Sequence, residues 1–248
     1  MAVDILYLHG FGATSWGFTA EECPIYQAME RLLSGKNVRL HAPSYHPEGN
    51  VKATMLHDFL KQVEQQAEAL PCGRFEAVVG CSFGGFLASV LQDRRPDLFG
   101  KVVLLAPAID NFSRNYEGKP CDAWHMPPDF VEELQALPAR PTIRVPTQIL
   151  HGLLDDDFGG SAPWRIHEWC DENAFVGRHF PSGVDHSLEP WLSEEMFPTI
   201  EGVPSLWDLL SWTLRSTDVL QQSELYSTSL FRCNSFSQSE YYPEGITA

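Results

Sequence analysis

Between residues 75 and 95 the chain reads FEAVVGCSFGGFLASVLQDRR, an apolar run that stops at Gly80 and resumes with helical character after Gly85. Apolarity that is continuous rather than alternating marks a strand covered on both faces. A strand of that kind passing straight into a helix calls for a parallel sheet, because crossover helices are what cover both faces. Further short apolar runs bounded by Gly, Pro or His are VDILYL (3–8), VRLHA (38–42), KVVLLA (101–106), TQILHG (147–152) and FVGRHF (175–180), and the continuous apolarity marks the middle ones as covered on both faces. Six strands are therefore expected, separated by stretches of helical spacing.

In the segment KATMLHDFLKQVEQQAEAL, Met55, Leu56, Phe59, Leu60, Val63 and Leu70 fall on one helical stripe that ends at Pro71 and Gly73. A second helix should start after Ser82 and run to about Arg95, where Pro96 stops it. SLWDLLSWTL (205–214) reads as a closing helix capped by Ser205. The expectation is an α/β fold, with a mainly parallel sheet of about six strands and helices on both faces. One domain should span 1–220, since 248 residues are too few for two typical domains with linkers. The long proline-rich segment 111–144, with a short helical stretch near 129–137, reads as an inserted cap; the polar segment 221–248 reads as a loosely ordered tail.

Charge narrows the partners. The formal net charge is −16, and residues 101–200 carry 16 acids against 7 basic residues. Nucleic acid is not expected as a partner of so acidic a chain. The six cysteines, Cys23, Cys72, Cys81, Cys121, Cys170 and Cys233, form no C-x-x-C pair, so neither a disulfide framework nor a zinc finger is expected. MAVDILYLHGFG has no basic leader region, and no apolar run reaches membrane-spanning length. A cytoplasmic protein with reduced thiols is the expectation.

The chemistry is expected at the corner. GCSFG (80–84) fits G-x-S-x-G, a weak pattern alone but a stronger one where a strand runs in and a helix runs out. Gly80 and Gly84 give room for a sharp turn, which lifts Ser82 above the strand end beside a helix N-terminus. A serine hydroxyl needs a base, and the base needs a third group to hold it. PSGVDHSLEPW places His186 in the loop after the last expected strand; HGLLDDD delivers Asp155, Asp156 and Asp157 at the end of the one before. Backbone amides of Phe83 and of the loop after the first strand, at Phe11 or alternatively Gly12, are the candidates for stabilising an oxyanion. Gly12, Trp16, Trp124 and Trp191 are candidates for the substrate pocket. His41, His46, His57 and Asp58 match no metal-ligand spacing and read as strand-end, loop and helix-face residues, so no metal or cofactor is expected. As the residue before the nucleophile, Cys81 should point away from the attack site.

Through LHGFG, GCSFGG, HGLLDDD and GVDHSL, in that order, the chain resembles the α/β-hydrolase superfamily over about residues 3–214. It looks most like the small esterases whose chain begins directly at the strand leading to the oxyanion loop. The resemblance implies the α/β-hydrolase fold and a triad of Ser82, His186 and an acid three residues after the glycine of HG. That position is Asp155, with Asp156 as the alternative one residue on. A serine with a histidine base suits acyl transfer, whereas an aspartate at the elbow would suit attack on an alkyl carbon. Hydrolysis of a small, neutral or apolar carboxylic ester is the leading expectation. Thioester hydrolysis, acyl transfer to another acceptor and slow-turnover ligand binding are the alternatives.

Overall fold

The computed structural model describes residues 2–10, 20–44, 56–109, 128–155, 163–192 and 202–215. Within them lie six strands, β1 (Val3–Leu8), β2 (Val38–His41), β3 (Ala77–Cys81), β4 (Val102–Leu105), β5 (Thr147–Leu150) and β6 (Val176–His179). All pair in parallel, in the order β2-β1-β3-β4-β5-β6. The chain moves outward from β1 to β2, then crosses back to β3 and continues the other way. The strand order thus reverses between β1 and β3, and in open sheets of this kind ligands bind beyond the C-terminal strand ends at such a reversal.

Alternation along each strand sorts the core into two layers. Leu6, Leu8, Val78, Val102, Leu104 and Ile149 face one side, with α2 (Leu56–Glu68), α3 (Phe83–Arg94), α4 (Pro128–Gln135) and α5 (Pro163–Asp171). Ile5, Tyr7, Ala77, Val79, Val103, Leu105 and Leu150 face the other, with α1 (Pro24–Leu33), α6 (Glu189–Leu192) and α7 (Leu206–Leu214). A fully buried side chain of this kind contributes about 1.5–3 kcal/mol by leaving water. Helix α3 is buried from Phe83 through Gln92, which explains why its sequence is apolar on all sides instead of striped.

The expected closing helix is present, and Ser205 makes a full capping box: its Oγ accepts from Asp208 N–H at 2.9 Å, while its own N–H donates to the Asp208 carboxylate at 2.9 Å. The far end of α7 is held by Lys101, a buried side chain whose ammonium donates to the carbonyls of Trp212 and Arg215, each at 2.7 Å. Helices α1, α5 and α6 add to the expectation. The first carries its own signal in Pro24 at the first turn and in Ile25, Tyr26, Ala28, Met29 and Leu33 turned to the core.

Helix α4 lies inside the expected cap, and its Phe130 ring meets Phe83 at 6.0 Å between centroids. The rest of the cap from 111 to 127, and the expected tail 221–248, lie outside the described residues. Among the described residues no helix is long and apolar enough to cross a membrane, and the cysteines Cys23, Cys72, Cys81 and Cys170 are thiols.

Candidate active site

Ser82 stands between β3 and α3 with φ 53 and ψ −119, a left-handed conformation that a residue with a side chain adopts only when its surroundings enforce it. Several bonds enforce it here. Ser82 N–H donates to the Leu105 carbonyl at 2.9 Å, and the Ser82 carbonyl accepts from Gly85 and Ala108 at 3.0 Å. The turn is tight enough to forbid side chains nearby. A Cβ on Gly84 would stand 2.0 Å from the Leu8 carbonyl oxygen, and one on Gly80 would stand 2.5 Å from that of Gly84. Gly10, at the end of β1, also leans over the corner: a Cβ there would lie 3.3 Å from Ser82 Cβ.

The structure brings Ser82, His186 and Asp155 together. Ser82 Oγ lies 2.8 Å from His186 Nε2, and His186 Nδ1 lies 2.7 Å from Asp155 Oδ2. Asp155 is fully buried, while the His186 side chain keeps 17% of its surface exposed. An ionised carboxylate only accepts, so Nδ1 of His186 carries its proton toward Asp155. Nε2 then offers its lone pair to the Ser82 hydroxyl. The arrangement can take a proton from the hydroxyl as it attacks an electrophile and hand that proton to a leaving group.

Two loops supply the histidine and the acid, and they interlock. Leu154 N–H donates to the Val184 carbonyl at 2.9 Å and Leu153 N–H to that of Pro181 at 3.0 Å. A Cβ on Gly152 would sit 2.2 Å from the Val184 carbonyl oxygen, so the loops approach this closely only because residue 152 has none. The Asp185 carboxylate tightens the histidine turn by accepting from Ser187 N–H at 2.9 Å and from its hydroxyl at 2.6 Å.

The remaining candidates divide. Phe83 is the first residue of α3, where a helix supplies no acceptor of its own for the backbone N–H, and its ring is buried against Phe86 and Phe130. Phe11, Gly12, Trp16 and Trp124 lie outside the described residues, as do Asp156 and Asp157. Trp191 is a core residue: it is 5% exposed, packs in the layer of α7, and spends its indole N–H on the Pro204 carbonyl at 3.1 Å. Cys81 is buried in the same layer, and burial, then Cys23 and Asp155, push its thiol well above the usual range. It stays protonated at neutral pH and offers no competing nucleophile.

Sequence reasoning fixed on the glycine of HG at 151–152 and passed over the histidine. His151 is fully buried, with Nε2 3.3 Å from Asp155 Oδ2. Its signal was a four-residue spacing from the acid, legible only once the acid was known. Among the described residues one group, Asp4, Cys72 and Glu76, holds potential metal-ligand atoms within 4.8 Å of one another. It sits at the N-terminal ends of β1 and β3, away from Ser82. Both Asp4 oxygens are already taken, by the Arg39 guanidinium at 2.7 and 2.6 Å and by His41 at 2.7 Å, which leaves a cation poorly served.

A doubly covered parallel sheet with serine, histidine and aspartate gathered at its C-terminal edge defines the hydrolase class of α/β proteins. The sequence profile of the alpha/beta hydrolase family matches residues 5–226, and the chain belongs to that family. No curated protein matches it in sequence. Among solved structures, Est1E from Butyrivibrio proteoclasticus is similar at a TM-score of 0.59 and 16% identity, over 77% of this chain and 83% of that one. Alpha/beta hydrolase domain-containing protein 10 from mouse is similar at a TM-score of 0.52 and 17% identity, over 75% and 82%. A point mutant of an epoxide hydrolase from Bacillus megaterium gives 0.54 and 12% identity, over 76% and 88%. At these identities the likeness is one of fold.

Proposed function

We propose that the protein is a serine hydrolase that cleaves a small carboxylic ester through an acyl-enzyme. The observation that carries the reading is the unbroken line of contacts from Ser82 Oγ to His186 Nε2 at 2.8 Å and from His186 Nδ1 to Asp155 Oδ2 at 2.7 Å. The fold alone does not choose the chemistry. The elbow residue does: a hydroxyl paired with an imidazole suits attack on an acyl carbon, whereas opening an epoxide at this position calls for a carboxylate.

In the proposed cycle His186 takes the Ser82 proton as Oγ bonds to the carbonyl carbon, and the resulting oxyanion is held by backbone N–H groups of Phe83 and Phe11. Collapse expels the alcohol, which receives the proton from His186 and leaves Ser82 acylated. Water, deprotonated by His186, then attacks the acyl carbon, and collapse breaks the bond to Ser82 Oγ, which takes that proton back from His186 as the acid leaves. Asp155 holds the imidazole in the required tautomer throughout. Phe130 from α4, packed on Phe83, supports reading 111–144 as a cap beside an apolar acyl site.

The test is labelling by a fluorophosphonate together with a series of nitrophenyl esters of increasing acyl length. Stoichiometric labelling at Ser82 with turnover of one or more esters is expected. Labelling without any ester turnover would favour slow ligand binding, and absence of labelling would remove Ser82 as nucleophile.

A further inference from the structure

His151 stands directly against the proposed acid, and the cycle above does not use it. His151 follows β5 immediately, is fully buried, and has its backbone N–H bonded to the His179 carbonyl at 2.9 Å. Its ring meets Phe180 edge-on, with centroids 6.4 Å apart and planes at 66°. Backbone and ring are thus both fixed, and they direct Nε2 to Asp155 Oδ2 at 3.3 Å, the same oxygen that faces His186 Nδ1 at 2.7 Å. A carboxylate oxygen is an acceptor only, so Nε2 of His151 carries a proton toward it.

We infer that His151 is a positioning residue for the triad acid, donating a second imidazole N–H to Asp155 Oδ2. Two donors converging from different loops fix the rotation of the carboxylate about its Cβ–Cγ bond, so that Oδ2 stays aimed at His186. The second donor also draws electron density from Oδ2 and tempers its pull on the His186 proton. Other titratable groups near the pair are Cys81 on β3, kept as a thiol, and Asp185, whose carboxylate is engaged by Ser187. Beyond Phe180 lies His167, paired with Asp171 at 3.2 Å. Of these, His151 is the one with a ring nitrogen 3.3 Å from the acid's Oδ2.

The inference rests on the serine-hydrolase reading for its consequence in turnover, and the experiment separates the two. His151→Phe fills the ring volume without a donor, whereas His151→Gln restores an N–H at comparable reach. On the best nitrophenyl ester, the Phe variant should lose about tenfold in kcat, the worth of one hydrogen bond, with KM within about twofold of wild type. The Gln variant should recover most of the loss. A folded Phe variant with wild-type kcat, or a Gln variant as slow as Phe, would overturn the donor role. The second arm needs no substrate. The proton between His186 Nδ1 and Asp155 should give a low-field NMR resonance that moves further downfield in His151→Phe, because Oδ2 becomes the stronger acceptor. An unmoved resonance overturns the inference; a moved one in a protein that hydrolyses no ester defeats only the esterase reading. If the Phe variant does not fold, the nitrogen-15 spectrum of wild-type histidines decides: His151 must appear as the Nε2–H tautomer, and an Nδ1–H tautomer refutes the proposal.

Discussion

Ser82 is held at φ 53, a conformation that costs a residue with a side chain about 1–3 kcal/mol, and the bonds from Leu105, Gly85 and Ala108 sustain it. Removing the hydroxyl leaves every one of those backbone bonds in place. Ser82→Ala should therefore keep its thermal midpoint within a degree or two, about what a surface substitution does, and lose hydrolysis and fluorophosphonate labelling completely. A variant that retains more than a few per cent of turnover would show that another group attacks. Gly152 poses the opposite case, since it has no chemical role and yet controls the geometry. The Cβ of Gly152→Ala would enter to 2.2 Å from the Val184 carbonyl oxygen, so the acid and histidine loops must separate. Misplacing the imidazole by an ångström should lower kcat by about 100-fold. Circular dichroism and a steady-state assay on the same sample would check this; unchanged kcat would mean that the loops yield elsewhere.

The elements show a division between what a sequence displays and what it conceals. Strands β3 and β4 are legible to within two residues because burial on both faces makes each a nearly unbroken apolar run bounded by glycine or lysine, and β5 is legible to the same margin from its apolar Ile149 and Leu150 between Pro146 and Gly152. Helix α2 is legible from its stripe, and α7 from Ser205 with Asp208. Helix α5, PWRIHEWCD, turns only Ile166, Trp169 and Cys170 inward and puts charge between them, so its period is too faint to stand out from a loop. At the site, Ser82, Asp155 and His186 are legible because each sits in a loop directly after a strand. The contact of His151 with Asp155 is not legible, because it depends on a turn bringing residues four apart face to face. Lys101 is concealed in the same way, since nothing in KVVLLA suggests that its lysine reaches the end of a helix more than a hundred residues later. Lys101→Met keeps most of the apolar stem and strips the Trp212 and Arg215 carbonyls of their shared donor. The loss should be about 2–4 kcal/mol in urea unfolding. A variant as stable as wild type would show that solvation of those carbonyls replaces the ammonium without loss.

Over the whole molecule, protons and charge act through stability and through substrate choice. His179 lies in β6 with Nε2 3.0 Å from Gln148 Oε1, and burial pushes it down from 6.5 to about 4. Below pH 6.5 the unfolded chain takes up a proton that the native imidazole refuses, so stability is full above that value and falls as pH drops toward 4, by about 3 kcal/mol across the window. Urea titrations at pH 7, 5.5 and 4.5 should show a shallower decline in His179→Leu than in wild type, and parallel declines would reject the assignment. Charge bears on the substrate. Residues 101–200 carry 16 acids against 7 basic residues, and this stretch includes the connections that leave β4, β5 and β6 from the sheet edge where Ser82 stands. A negative surround of this kind repels an anionic acyl donor at long range, and salt screens it with a Debye length of about 8 Å at physiological strength. A neutral ester should therefore be turned over with higher kcat/KM than the coenzyme A thioester of the same acyl group at low salt. The gap should narrow as salt rises, because only the charged donor feels the field. Faster turnover of the thioester at low salt would reverse the order and make thioester hydrolysis the activity to pursue.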